Sequence, residues 1–298
     1  MITPDILQIG DTVAIVSTAG KVSLKEIQTS IVLLKQWRLR VKLGVTIDAE
    51  DNQFAGNDAL RVKDFQQMMD DPKVKAIWCA RGGYGTVRII DQLDFSSFIK
   101  TPKWIIGYSD VTVLHSHIHN LGVETLHAQM PFEIEDKTDV SINSLKQALF
   151  GESYYISYSS KINIQRMGTV NGQLIGGNLS ILYSLCGSTS GINTRGKILF
   201  IEDLDEYLYH LDRMLQNLKR NKIFENLSGL IVGGMTKMQD NSIPYGRSAE
   251  EIIRDIVSEY DFPICFNFPA GHVEDNRALI FGRNVQLIIS DGKVQLRF

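Results

Sequence analysis

Within the eight residues from Lys103 to Asp110 the chain changes from strand to helix, and it turns through Gly107-Tyr108-Ser109-Asp110. Trp104, Ile105 and Ile106 follow Pro102 and are the residue types of a short buried strand. From Asp110 onward Val111, Leu114, Ile118 and Leu121 recur at helical steps. So abrupt a strand-to-helix turn lifts its apex side chain, Ser109, clear of the sheet. It also sets the hydroxyl at a helix N-terminus, where free N–H groups favour negative charge. Two roles fit this placement. One is a helix N-cap, the commoner use of such a serine. The other is a nucleophile on an elbow, for which Gly-x-Ser-x-Gly is complete except that Asp110 stands in place of the last glycine.

The elbow closes a run of alternating elements. Residues 12–17 read as a strand, 23–37 as an amphipathic helix, 40–45 as a strand, 57–69 as a helix opened by Asn57, and 74–79 as a strand. A glycine-rich turn and a helix over 86–93 precede the elbow strand. Strands alternating with helices imply a doubly wound parallel sheet of the flavodoxin or amidotransferase kind, with its site at the carboxyl ends of the strands. Arg81-Gly82-Gly83-Tyr84-Gly85 ends one of those strands and so shares an edge with Ser109. A phosphate loop is a weak reading of it, because neither Gly-x-Gly-x-x-Gly nor the Lys-Ser/Thr of a P-loop is present. The turn can instead supply one arm of an oxyanion hole, at Gly83, with the Asp110 amide as the other; it can also serve helix packing alone.

The rhythm breaks at the polar, tyrosine-rich stretch from Phe150 to about Gly168, where a boundary is expected near residue 155. This divides the chain into 1–155, which carries Ser109, and 156–298, a second α/β domain. There, helices are expected over 178–186, 206–219 and 249–259, strands over 197–201, 230–232 and 263–268, and a final hairpin over 285–289 and 293–298 turned by Asp291-Gly292. Glu202 directly follows the apolar strand 197–201, with Asp203, Asp205 and Glu206 behind it to cap the next helix. His272 follows another apolar strand and is the only histidine beyond residue 210. A Ser–His–acid relay needs an imidazole within reach of the hydroxyl and a carboxylate orienting the imidazole. Ser109, His272 and Glu202 supply those parts if both domains close over one cleft; as a loop residue His272 can equally satisfy a local carbonyl. His115 and His119 lie four apart with His117 between them, but Ser116 stands where a zincin has Glu. No metal site is expected from them; they read as a helix face packed behind the elbow.

Of 298 residues, 44% are hydrophobic and 22% charged, with net charge −3, which offers no electrostatic case for nucleic acid or an anionic membrane as partner. No apolar run approaches the roughly 20 residues of a membrane span, and Met1 to Asp5 lack the features of a signal peptide. Cys79, Cys186 and Cys265, odd in number and in apolar settings, read as reduced core residues of a cytoplasmic protein.

Phe54-Ala55-Gly56-Asn57-Asp58, Ala80-Arg81-Gly82-Gly83-Tyr84-Gly85, Gly107-Tyr108-Ser109-Asp110, Gly176-Gly177-Asn178-Leu179, Phe200-Ile201-Glu202-Asp203 with Asp212-Arg213, and Gly271-His272 occur in that order over nearly the whole chain. Together they resemble the LD-carboxypeptidase family of serine peptidases, which includes murein tetrapeptide carboxypeptidases and microcin C immunity peptidases. Two departures are His127-Ala128-Gln129-Met130-Pro131 in place of the more usual His-Gly-Pro, and Arg277-Ala278-Leu279 after the His272 loop. The resemblance implies a Ser109–His272–Glu202 triad split between the domains, a homodimer, and cleavage between an L-centre and a C-terminal D-amino acid in peptidoglycan recycling. No cofactor is expected. The implied partner is a small muropeptide-like peptide. Its terminal carboxylate calls for a cation, for which Arg81 and Arg213 are candidates, with Tyr84 beside them. Three other functions compete. An immunity-type peptidase would stack aromatic residues such as Trp78, Trp104 or Tyr84 on a nucleotide base. An amidotransferase-like hydrolase needs an elbow cysteine, and a non-catalytic muropeptide-binding protein needs no triad.

Overall fold

The computed structural model describes residues 1–160 and 165–298. The alternation of the first half becomes a parallel sheet of β1 (Thr12–Val16), β2 (Arg40–Leu43), β3 (Val74–Cys79), β4 (Trp104–Gly107) and β5 (Thr125–His127) in the order 2-1-3-4-5. Helices α1 (Gln28–Gln36), α2 (Asp58–Asp70), α3 (Ser96–Lys100) and α4 (Thr112–Asn120) fill the crossovers, and α5 (Asp139–Phe150) follows. The central strands β1, β3 and β4 are almost entirely buried on both faces because helices cover both, whereas the edge strand β2 stays partly exposed. Val13 and Ile15 pack into one cluster with Trp78, Trp104 and Leu34 of α1. Ala14 and Val16, their alternates, pack into another with Phe65 of α2 and Leu114 of α4. Both tryptophans are therefore core residues, and their indole N–H groups donate to the carbonyls of Gln129 and Asp5.

The second sheet contains β6 (Tyr155–Ser159), β7 (Gly168–Asn178), β8 (Ile198–Leu204), β9 (Gly229–Thr236) and β10 (Ile264–Cys265), with α6 (Leu179–Ser184), α7 (Leu208–Arg220) and α8 (Ala249–Ile256) between them. Beyond β10 come β11 (Leu279–Phe281) and the hairpin of β12 (Asn284–Ser290) and β13 (Lys293–Arg297). The sheet order is β10-β9-β8-β7-β12-β13-β6, parallel from β10 to β7 and antiparallel beyond. β11 does not join it. It pairs antiparallel with β5 instead, so the chain returns after His272 to close the edge of the first sheet.

Several expectations change in detail. The helix expected over 86–93 is two 3₁₀ turns, Thr86–Arg88 and Ile90–Gln92; β-branched Thr86, Val87, Ile89 and Ile90 disfavour an α-helix, and the Asp110 carboxylate holds the Thr86 N–H at 2.8 Å. The strand expected over 263–268 stops at Cys265, and Asn267 is left-handed, at φ +54°. The tyrosine-rich stretch contains the edge strand β6, and the part of the expected stretch over 161–164 lies outside the described residues. The Tyr158 hydroxyl donates to the Phe266 carbonyl at 2.6 Å and Tyr154 to Ala278 at 3.0 Å, whereas Tyr155 faces solvent. Among the described residues no helix is long and apolar enough to cross a membrane.

Candidate active site

The order 2-1-3-4-5 puts a topological switch between β1 and β3, where the loops leaving the two strands part and open a crevice. Those loops are tied together: the Gly20 N–H donates to the Gly82 carbonyl at 3.0 Å, and the Thr18 and Thr86 hydroxyls meet at 2.8 Å. Ser109 stands beside them, just beyond β4. Its backbone is left-handed, at φ +62°, a conformation that costs a non-glycine residue free energy and persists only where the surroundings enforce it. Gly82 makes the approach possible, since a Cβ there would sit 3.0 Å from Ser109 Cβ. Asp110 locks the arrangement by accepting the Thr86 N–H. Burial pushes the Asp110 carboxyl upward, against its hydrogen bonds to this loop and the charge of Arg61.

The N-cap reading of Ser109 is not realised. A 3₁₀ turn, Ser109–Val111, precedes α4, whose N-cap position is Val111 and lacks a side-chain cap. The Ser109 hydroxyl instead lies 3.2 Å from Nε2 of His272. His272 Nδ1 is 2.6 Å from Oε2 of Glu202, and the His272 backbone N–H donates to the same oxygen at 3.0 Å. Glu202 does not follow its strand, as the sequence suggested, but lies inside β8, where the pairing with β9 slips between Ile201 and Asp203. Such an irregularity re-aims a side chain. The carboxylate is fully buried, and Gly271, at φ +101°, permits its approach: a Cβ there would fall 2.7 Å from Glu202 Oε2.

Burial is the largest influence on the His272 imidazole and lowers its pKa. The Glu202 charge, the hydrogen bond to it and the nearby Asp203 outweigh burial, leaving the pKa above the ordinary imidazole value. Asp203 does not cap α7, whose N-cap Tyr207 has no side-chain cap. It accepts from the Ser180 N–H and hydroxyl at the start of α6 and from the Asn178 amide, and burial together with Glu202 pushes it up to about 6. The arrangement can move a proton from the Ser109 hydroxyl to His272 while Glu202 holds the imidazole tautomer.

The other candidates scatter. The Gly83 and Asp110 amides have no acceptor within the protein among the described residues. Arg81 donates to the Lys21 carbonyl at 2.9 Å and stacks 4.1 Å over Phe132. Tyr84 is half exposed beside Phe54. Arg213 is exposed over Tyr209 and bonds to none of Ser109, His272 or Glu202 among the described residues. His115 is bonded to Thr125 and the Gly107 carbonyl, His117 to Ser190 and His119 to Lys197. His127 is buried among Tyr108, Phe200 and Phe281. Lys137, which no motif marked, lies beside the site: its Nζ is 3.0 Å from the Val273 carbonyl and 5.7 Å from the centre of the Tyr108 ring.

Residues 13–128 match the LD-carboxypeptidase N-terminal domain and residues 171–287 the LD-carboxypeptidase C-terminal domain. The chain belongs to the LD-carboxypeptidase family. It is 37% identical to the probable murein peptide carboxypeptidase of Bacillus subtilis (strain 168), with 94% of this chain and 89% of that protein covered. It is 27% identical to the murein tetrapeptide carboxypeptidase of Pseudomonas aeruginosa, with 92% of each covered. Among solved structures, the muramoyltetrapeptide carboxypeptidase from Oxalobacter formigenes superposes with a TM-score of 0.88 at 28% identity, over 96% of this chain and 97% of that one. The microcin C7 self-immunity protein MccF, in complex with aspartyl sulfamoyl adenosine, has the same fold with a TM-score of 0.88 at 22% identity, over 100% of this chain and 99% of that one.

Proposed function

We propose that this LD-carboxypeptidase family member is a serine-type peptidase that hydrolyses the amide bond between an L-centre and the C-terminal D-amino acid of a murein tetrapeptide, in peptidoglycan recycling. The observation that carries the reading is the Ser109–His272–Glu202 chain at 3.2 and 2.6 Å, which joins the turn after β4, the loop between β10 and β11, and a residue within β8. Ser109 Oγ attacks the scissile carbonyl while His272 Nε2 takes its proton. The amides of Gly83 and Asp110 receive the oxyanion, at about 3 kcal/mol per donor. Collapse of the tetrahedral adduct breaks the C–N bond, and His272 returns the proton to the leaving amine. Water, deprotonated by the same imidazole, then hydrolyses the acyl-enzyme and frees Ser109.

A cytoplasmic site of action fits the three unpaired cysteines, two of them fully buried with thiols pushed up to about 12. The homodimer is carried over from the family resemblance. The immunity-type alternative loses two of its three candidate stacking residues, since Trp78 and Trp104 are core residues and only Tyr84 is exposed. The test is release of D-alanine from murein tetrapeptide by purified protein, with Ser109→Ala expected to abolish both release and labelling by a fluorophosphonate. Undiminished release by Ser109→Ala would sink the assignment.

A further inference from the structure

A carboxypeptidase must recognise a terminal carboxylate, and among the described residues neither arginine suggested by the motifs bonds to the loop that carries His272. Arg81 is engaged by the Lys21 carbonyl and the Phe132 ring, and Arg213 is out over Tyr209. Lys137 differs from both. It follows the 3₁₀ turn Ile134–Asp136, entered through Glu133 at φ +62°, and it is only partly exposed. An ammonium has three N–H donors. Among the described residues Lys137 uses one, to the carbonyl of Val273, and has no ion-pair partner. A partly buried ammonium with unused N–H donors and no direct ion pair can take a carboxylate at hydrogen-bond distance, where a charge-assisted bond is strongest. Burial lowers the Lys137 pKa, while Glu133, Asp136, Glu274 and Glu202 act at longer range to keep it charged.

Position supplies the second argument. Val273 is the residue after His272, and Tyr108, over which the Lys137 ammonium lies, has its ring 4.8 Å from that of His272. His272 must protonate the leaving amine, so its side of Ser109 is the leaving-group side. The carboxylate carbon of a one-residue leaving group lies only about three bonds, or roughly 4 Å, from the scissile carbon. Lys137 therefore stands on the side where that carboxylate must fall. We infer that Lys137 receives the C-terminal carboxylate of the substrate and so makes the enzyme a carboxypeptidase; this rests on the function proposed above.

The experiment compares a murein tetrapeptide with a free C-terminal carboxylate against the same peptide ending in an amide. For the wild type, kcat/KM should favour the acid by roughly 10- to 100-fold, the worth of a charge-assisted hydrogen bond. Lys137→Met should collapse that preference, mainly through KM, and Lys137→Arg should keep most of it. Fluorophosphonate labelling of Ser109 in each variant reports whether the site is folded. Equal losses on acid and amide, or a preserved preference, would overturn the inference while leaving the serine-hydrolase reading intact. Binding of both peptides to Ser109→Ala and to Ser109→Ala/Lys137→Met, by calorimetry, decides the matter independently of turnover. Acid bound more tightly than amide only while Lys137 is present supports the inference; equal binding, or none, overturns it. Failure of the wild type to cleave either peptide or to be labelled would bring down the proposed function instead.

Discussion

Glu202→Gln isolates the carboxylate charge from its shape. Glu202 is fully buried, its Oε2 holds both the Nδ1 and the backbone N–H of His272, and its Oε1 has no partner among the described residues. The negative charge is thus directed at the imidazole with little competition. In the proposed mechanism His272 takes the Ser109 proton, and an imidazolium forms beside the carboxylate. Two unit charges about 4 Å apart at an effective dielectric of about 20 attract by about 4 kcal/mol. Losing that stabilisation in the transition state lowers kcat by about a thousandfold. A second signature has the opposite look. As the proposed base His272 works only when neutral, so kcat/KM should fall as pH drops through its pKa, which lies above the ordinary imidazole value in the wild type. The glutamine removes the two leading influences that raise it, so burial, the largest of all, and Lys137, which both lower it, are opposed only by Asp203. The acid limb of the profile should therefore move to lower pH while the plateau falls. Steady-state kinetics from pH 5 to 9, with circular dichroism to confirm folding, measure both. A fall of less than about tenfold, or an acid limb that stays in place, would refute a relay through Glu202.

Gly271→Ala should lower both activity and stability, the latter by about 1–3 kcal/mol in urea unfolding, because the left-handed backbone and the contact with Glu202 exclude a Cβ. Gly177→Ala should behave alike, since a Cβ there would lie 2.4 Å from Thr112 Oγ1 at the junction of β7 with α4; an unchanged midpoint would show that this junction yields freely. Separately expressed halves, 1–155 and 156–298, should each be inactive, as Ser109 lies on one and His272 and Glu202 on the other; D-alanine release by the first alone would point to a different base. Tyr158→Phe should cost about 1 kcal/mol in the same unfolding assay through loss of its hydrogen bond to Phe266, with kcat unaffected.

What the sequence determined by itself is what short-range pattern encodes. Apolar strands alternating with amphipathic helices leave few choices besides a parallel sheet, and a strand that becomes a helix within four residues has to lift Ser109 at its carboxyl end. Order along the chain also placed Glu202 and His272 after apolar strands, near enough to one edge to be suspected. Tertiary structure decided the rest. Strands of three residues such as β5 and β11 have no period to read, and β11 exists because Leu279 and Phe281 find β5 from more than 150 residues away. β7 is rich in glycine and reads poorly as a strand; its glycines are accommodated because the Phe200 backbone and Thr112 press where side chains would be. Glu202 reaches His272 through a slip in pairing between two strands, and the left-handed φ of Ser109 is imposed by the loop packed on it. Lys137 carries no motif at all. Its place beside His272 follows from a carbonyl 136 residues further along the chain, and a contact that distant leaves no trace in local periodicity.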